Sequence, residues 1–109
     1  MKKDFVYVKH ILDSIYNIEE FTKDVSKVDF FSEENKMMRS AVIREFEVIG
    51  EATGKLSEKL KKDNPSVPWR DIQDMRNKLI HEYFGVDVEI VWKTIQDNIP
   101  ELKRALLEI

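Results

Sequence analysis

Apolar residues recur every three or four positions along almost the whole chain, and nowhere do they alternate strictly with polar ones between turn dipeptides. That pattern leaves little but helices for the chain to fold into. The first run puts Phe5, Val8, Leu12 and Ile15 on one line and Ile11, Ile18 and Val25 on its neighbour, so the spacing predicts one amphipathic helix over about 3–27. Val28 to Ser32 breaks the pattern. Ser32 followed by Glu33 and Glu34 reads as a helix N-cap with acidic residues at the positive end of the dipole. The second helix then carries Met38, Val42, Ile49, Ala52, Leu56 and Leu60 on one line, with Glu45 interrupting it. Gly50 is small enough to admit another backbone, and Gly54 reads as a C-cap that divides the segment in two.

Residues 62–68, with Pro65 and Pro68, form the clear linker, and Pro68 suits the first turn of a helix over about 69–84 that Gly85 closes at C'. Asp87 caps a last helix whose stripe is Val88, Val91, Trp92, Ile95, Ile99, Leu102 and Leu106, and Pro100 should kink or restart it. With 109 residues and no repeat, the expectation is a single domain over 1–109, an all-α, four- to five-helix, up-and-down bundle. Stripes this wide on so few helices leave apolar surface over for a partner, which makes a dimer physically reasonable.

The inventory narrows the chemistry. With no cysteine there are no disulfides, thiolate metal sites or cysteine nucleophiles. No stretch approaches the roughly 18 apolar residues of a membrane span, and Met1-Lys2-Lys3-Asp4 leads into an amphipathic segment, so a cytoplasmic protein without a membrane partner is expected. A net charge of -3, from 18 basic and 21 acidic side chains, argues against binding long nucleic acids by bulk electrostatics, so any RNA contact must be local. Lys55, Lys59, Lys61 and Lys62 read as a solvated helix face.

Only two histidines are present, with no phosphate-cradling glycine loop and no HExxH helix, so no metal and no cofactor is expected. His10, among Val8, Ile11 and Leu12, reads as structural or surface. His81 has different company: Arg76, Asn77, His81 and Tyr83 place a guanidinium, an amide, an imidazole and a phenol within eight residues. Asn77 and His81, at i and i+4, share a face on which the amide can fix the imidazole tautomer, and Arg76 and Tyr83 align at i and i+7. Arg76 and His81 stand about 140° apart around an ideal helix, as two sides of one cleft rather than a stack. His81 lies in the last turn, where the dipole favours the imidazolium.

An arginine that clamps a phosphodiester and a histidine that takes a proton are what metal-free RNA cleavage needs: the base removes the ribose 2'-hydroxyl proton and the attack closes a 2',3'-cyclic phosphate. The leaving 5'-oxygen also wants an acid, and two protomers would bring two histidines. The bland alternatives stand beside this reading. Arg and His at a helix end ordinarily satisfy carbonyls and carboxylates, Tyr83 can be a core or interface tyrosine, Trp69 and Trp92 core or interface aromatics, and Glu45 a partner of Arg44 or of another subunit.

The run from Arg76 to Tyr83 resembles the R-x4-H-x-Y signature of the HepT branch of HEPN domains. Arg44 to Ala52 is similar to that family's second-helix segment, Val67 to Ile72 to the lead-in of its catalytic helix, and Phe84 to Trp92 to the stretch just after that helix. The resemblance therefore covers most of residues 33 to 107 in order. It implies a HEPN-like bundle and an endoribonuclease toxin of a type VII toxin–antitoxin system. Arg76 and His81 would be the catalytic pair, Asn77 the supporting polar residue, and the cleft would form across a homodimer. It further implies that Tyr83 is adenylylated by a partner minimal nucleotidyltransferase of the MntA type, which silences the nuclease. A second expectation is a non-catalytic nucleotide- or substrate-binding subunit of such a nucleotidyltransferase. That role gives no chemical reason for keeping Arg76 and His81 together.

Overall fold

Ile49, Phe46 and Val42 bury one flank of a long central helix, and the chain arranges itself around that helix. A computed structural model describes residues 2–81 and 87–109, with the backbone only for Lys2, Leu79, Ile80 and His81. In chain order the described elements are α1 (Lys2–Phe21), α2 (Lys27–Phe31), a 3-10 turn (Glu33–Asn35), α3 (Lys36–Lys55), α4 (Glu58–Asp63), α5 (Trp69–His81) and α6 (Val88–Leu107). The result is the expected all-α bundle. Its body is α1, α3, α5 and α6: α3 packs against both α1 and α5, and α6 against α1 and α2. Ile11, Ile15 and Ile18 of α1, Val42 and Ile49 of α3 and Val91 of α6 are all but closed to solvent. Among the described residues no helix is long and apolar enough to cross a membrane.

Three boundaries differ from the sequence expectation. The first helix stops at Phe21 rather than about residue 27, because the chain turns through Asp24 in the left-handed region, φ 59°. A new short helix then starts on the Ser26 hydroxyl, which accepts from the Asp29 N–H at 3.1 Å. The stretch expected to break helicity, Val28 to Ser32, is therefore largely helix α2. Five residues cannot hold a helix alone. Phe30, fully buried against Trp92 with ring centroids 5.1 Å apart, anchors it. Arg39 of α3 closes it by donating from Nη1 to the carbonyls of Phe30, at 2.8 Å, and Ser32.

The second long segment does divide, but not at Gly54, which lies inside α3; no described glycine has a positive φ. The break falls at Leu56–Ser57, where the Ser57 hydroxyl accepts from the Leu60 N–H and starts α4. Pro100 neither ends nor restarts the last helix, which runs unbroken from Val88 to Leu107. Pro100 is solvent-exposed there, so water can satisfy the carbonyl its ring frees. Asp87 caps the last helix as expected, accepting from the Glu89 N–H, whereas Ser32 accepts from the Glu34 N–H and caps the 3-10 turn, and α3 starts after Asn35 with no side-chain cap.

The Ser57 cap is tied to the far end of the sequence. Asp4 of α1, 7% exposed, accepts the Ser57 hydroxyl at 2.6 Å and the Ser57 N–H at 2.8 Å. The hydroxyl first, and then the backbone N–H, hold the Asp4 carboxyl below the usual carboxylate value. A carboxyl whose folded pKa is depressed contributes stability above its unfolded pKa, about 3.9, and loses it as pH falls through the folded value.

Two outcomes are expected. Phe30→Ala should cost about 3–5 kcal/mol of unfolding free energy in urea, whereas Val28→Ala, at a side chain 80% exposed, should stay within about 0.5 kcal/mol. Asp4→Asn should lower the melting temperature at pH 7, and the gap to the native protein should narrow as pH drops below about 4. A constant gap from pH 7 to pH 3 would show that the carboxylate charge at Asp4 does not matter.

Candidate functional site

α5 owes its placement to its first turn. Pro68 supplies the fixed φ of a helix start, and Trp69, 8% exposed, plugs into the core while its indole N–H donates to the Asn64 carbonyl at 3.0 Å. Ile72 and Met75 follow on the same inward line and meet Phe46 and Ile49 of α3 and Ile99 and Leu102 of α6 around an apolar cavity of about 40 Å³. One step around the helix, Gln73 and Arg76 stand a turn apart. They face Gly54 and Gly50, also a turn apart, on α3.

Arg76 sits at the tightest point of that seam. A methyl group at Gly50 would overlap its Cβ and Cγ, so the arginine stem lies directly on the α3 backbone. The guanidinium is half-buried, its side chain 31% exposed. Nη1 donates to Asn77 Oδ1 at 3.0 Å, Nη2 stands 3.8 Å from Glu51 Oε2, and Nε is buried with no acceptor among the described residues. Gly50, Glu51, Gly54, Gln73, Arg76 and Asn77 line an open depression of about 150 Å³ around it. That is below the roughly 300 Å³ at which small-molecule pockets begin, a size for one charged group rather than a whole nucleotide.

Chemically the depression offers a fixed cation, two amides able to donate, and one carboxylate. A bidentate fork on an anionic oxygen pair is the task a guanidinium so held is shaped for. The opposing Glu51 is 60% exposed and its ion pair is long, so solvent screening leaves it at most about 1 kcal/mol to resist displacement.

The structure thus brings Arg76 and Asn77 together, the Asn77 carbonyl oxygen accepting from Arg76. The backbone of His81 closes α5 five residues after Arg76, a rise of about 7.5 Å along the axis. The His81 side chain, Tyr83 and the Gly85 cap lie outside the described residues. Sequence reasoning missed Gln73 as a lining residue. The signal was the matched spacing of Gly50 and Gly54 with Gln73 and Arg76, a close-packed seam written twice.

The remaining candidates take their bland roles. His10 is exposed, with Tyr7 edge-on at 6.1 Å between ring centroids. Glu45 accepts from Asn17 Nδ2 at 3.3 Å rather than pairing with Arg44, which pairs with Glu47 at 3.1 Å. Lys59 is paired with Asp63, and Lys55 and Lys62 are exposed, as a solvated face should be. Among the described residues no three His, Asp or Glu side chains stand close enough to hold a metal ion.

Comparison with known proteins identifies the family. The sequence model of the family described as "Ribonuclease HepT-like" matches residues 11–109, which take in the second half of α1. The chain is 45% identical over 97 residues to the "Probable ribonuclease HepT" of Thermococcus cleftensis, covering 89% of this chain and 86% of that one. It is 40% identical over 109 residues to a candidate RNase of Caldanaerobacter subterraneus subsp. tengcongensis, covering 100% and 96%. It is also 43% identical over 110 residues to a Methanocaldococcus jannaschii protein named as a gamma-glutamylcyclotransferase and candidate RNase; there it spans all of itself but only 49% of the relative. No solved structure matches the chain.

Proposed function

The chain belongs to the HepT-like ribonuclease family, and from that premise we propose that it is an endoribonuclease that cleaves RNA without a metal ion and acts as the toxin of a toxin–antitoxin pair. The observation that carries the reading is the setting of Arg76: a guanidinium seated by its stem on Gly50, beside two amides, in a depression sized for one anionic group. Arg76 holds a scissile phosphate there by two charge-assisted hydrogen bonds and stabilises the charge that builds on its oxygens. His81 takes the proton of the ribose 2'-hydroxyl, the 2'-oxygen bonds to phosphorus, and the bond to the 5'-oxygen breaks. The products are a 2',3'-cyclic phosphate and a 5'-hydroxyl. The 5'-oxygen needs a proton as it leaves, and a homodimer supplies it from the second copy's histidine.

Control is assigned to Tyr83, two residues from His81. A cognate nucleotidyltransferase that transfers AMP from ATP to the phenol oxygen, releasing pyrophosphate, leaves a phosphodiester with a negative charge beside the active residues. That charge competes with RNA for Arg76, so the modified protein is silent while still folded.

Incubation of purified protein with total RNA in EDTA should give cleavage with cyclic-phosphate ends. His81→Ala should reduce the rate by about 10²–10⁴-fold and Arg76→Ala by about 10²–10³-fold, with the helical circular dichroism near native. Full activity in either mutant, or activity that EDTA abolishes, would sink the assignment. RNA bound but never cut would favour the substrate-binding role instead.

Mass spectrometry after incubation with ATP, magnesium and a cognate nucleotidyltransferase should show AMP added to the native chain and none to Tyr83→Phe, with RNase activity lost only in the former. A modified chain that cleaves RNA at the full rate would refute the control mechanism.

A further inference from the structure

Nothing in the local backbone requires a glycine at position 50. It lies inside a regular helix with no positive φ, where alanine is the better helix former. The reason must be space, and the space is taken by one residue.

We infer that Gly50 is a positioning residue for Arg76: the missing side chain on α3 fixes the path of the arginine stem and so the direction from which the guanidinium enters the depression. This rests on the reading of Arg76 as the phosphate-binding group. The atoms that a Cβ at position 50 would overlap are Cβ and Cγ of Arg76, and the Arg76 Cα stands only 3.4 Å away. Those are the root of the side chain. Cβ is fixed to the α5 backbone and moves only if α5 moves, whereas Cγ can also give way if the arginine swings to another rotamer; both changes displace the guanidinium. The second seam contact behaves differently. A Cβ at Gly54 would meet only the far end of Gln73, Nε2 at 2.9 Å, which can rotate aside. The arginine itself bears the mark of the constraint: among the described residues its buried Nε has no acceptor, although the tip of the same side chain is open to water. A stem free to turn would bring that N–H to solvent or to Glu51. Pinned against α3, it leaves Nη1 and Nη2 as the outward donors.

The test compares Gly50→Ala with Val42→Ala, a buried substitution about two turns away on the same helix that leaves Arg76 untouched. Each is assayed for RNA cleavage well below its melting temperature and for the Arg76 Nε–Hε resonance in nitrogen-15 spectra. Gly50→Ala should lose about 10²-fold in kcat/KM, the cost of misplacing a group by roughly 1 Å, while Val42→Ala cleaves at the native rate. The Nε–Hε resonance should exchange slowly with water in the native and Val42→Ala proteins, and should shift and exchange faster in Gly50→Ala. A folded Gly50→Ala protein with the native resonance overturns the inference, and so does an equal shift in Val42→Ala. A native chain that cleaves no RNA sinks the proposed function alone, and the resonance then decides the positioning role by itself. Should Gly50→Ala not fold, adding Arg76→Gly restores the room: recovered helicity supports the contact, and persistent unfolding overturns it.

Discussion

The approach of α5 to α3 at Gly50 is the contact on which the candidate site depends. With a side chain at position 50 the two helices must separate, and that change dissolves the depression that Glu51, Gln73 and Asn77 complete. The contact also gives the site its rigidity. Arg76 is carried by a helix whose own inward residues, Trp69, Ile72 and Met75, lock into the core, and it rests on a helix whose other flank is packed against α1. A group held by two such elements keeps its geometry better than one placed on a loop.

Electrostatics plays the smaller part in holding the fold and the larger one in the chemistry. The ion pairs Lys27–Glu89, Lys59–Asp63 and Arg44–Glu47 each have at least one partner more than half exposed, a setting in which pairs contribute about 0–1 kcal/mol. Stability comes instead from the closed apolar layer and from caps and clamps, among them Asp4 on Ser57 and Arg39 on the end of α2. At the depression the ranking reverses. The net charge of -3 gives no long-range pull on a polyanion, so under the proposed function recognition would fall to a few donors at short range, and the half-burial of Arg76 would strengthen what they do.

The helices and the line of core residues were legible because burial and period coincide along α3, α5 and α6. Where the reading of α1 overran, the cause was Val25: it is half-buried, so it continues the apolar count although the backbone has already turned at Asp24. Pro100 misled for the opposite reason, since an exposed proline costs a helix less than a buried one. Arg76 and Asn77 stood out by residue type, but nothing in the spacing along α5 revealed that the amide serves the guanidinium, because that bond depends on where the stem is pinned. Glu45 found Asn17, 28 positions away, a pairing that no local spacing encodes.

The division of α5 bears on how a substrate would be held. Arg76 faces α3, and Asn77, 100° further around an ideal helix, is exposed. Position 81 falls about 40° beyond position 77 on the same helix, on the flank away from α3. A phosphate on Arg76 and a base at position 81 are therefore reached from different sides of one helix edge, and a ribose–phosphate unit has to straddle that edge to meet both. The proposed reaction also asks for an acid at the leaving 5'-oxygen, a second role that His81, already the base, does not fill in the same step. A second α5 against the exposed flank would close the proposed cleft and bring a second His81 as that acid, so the proposed chemistry and the proposed dimer rest on the same requirement.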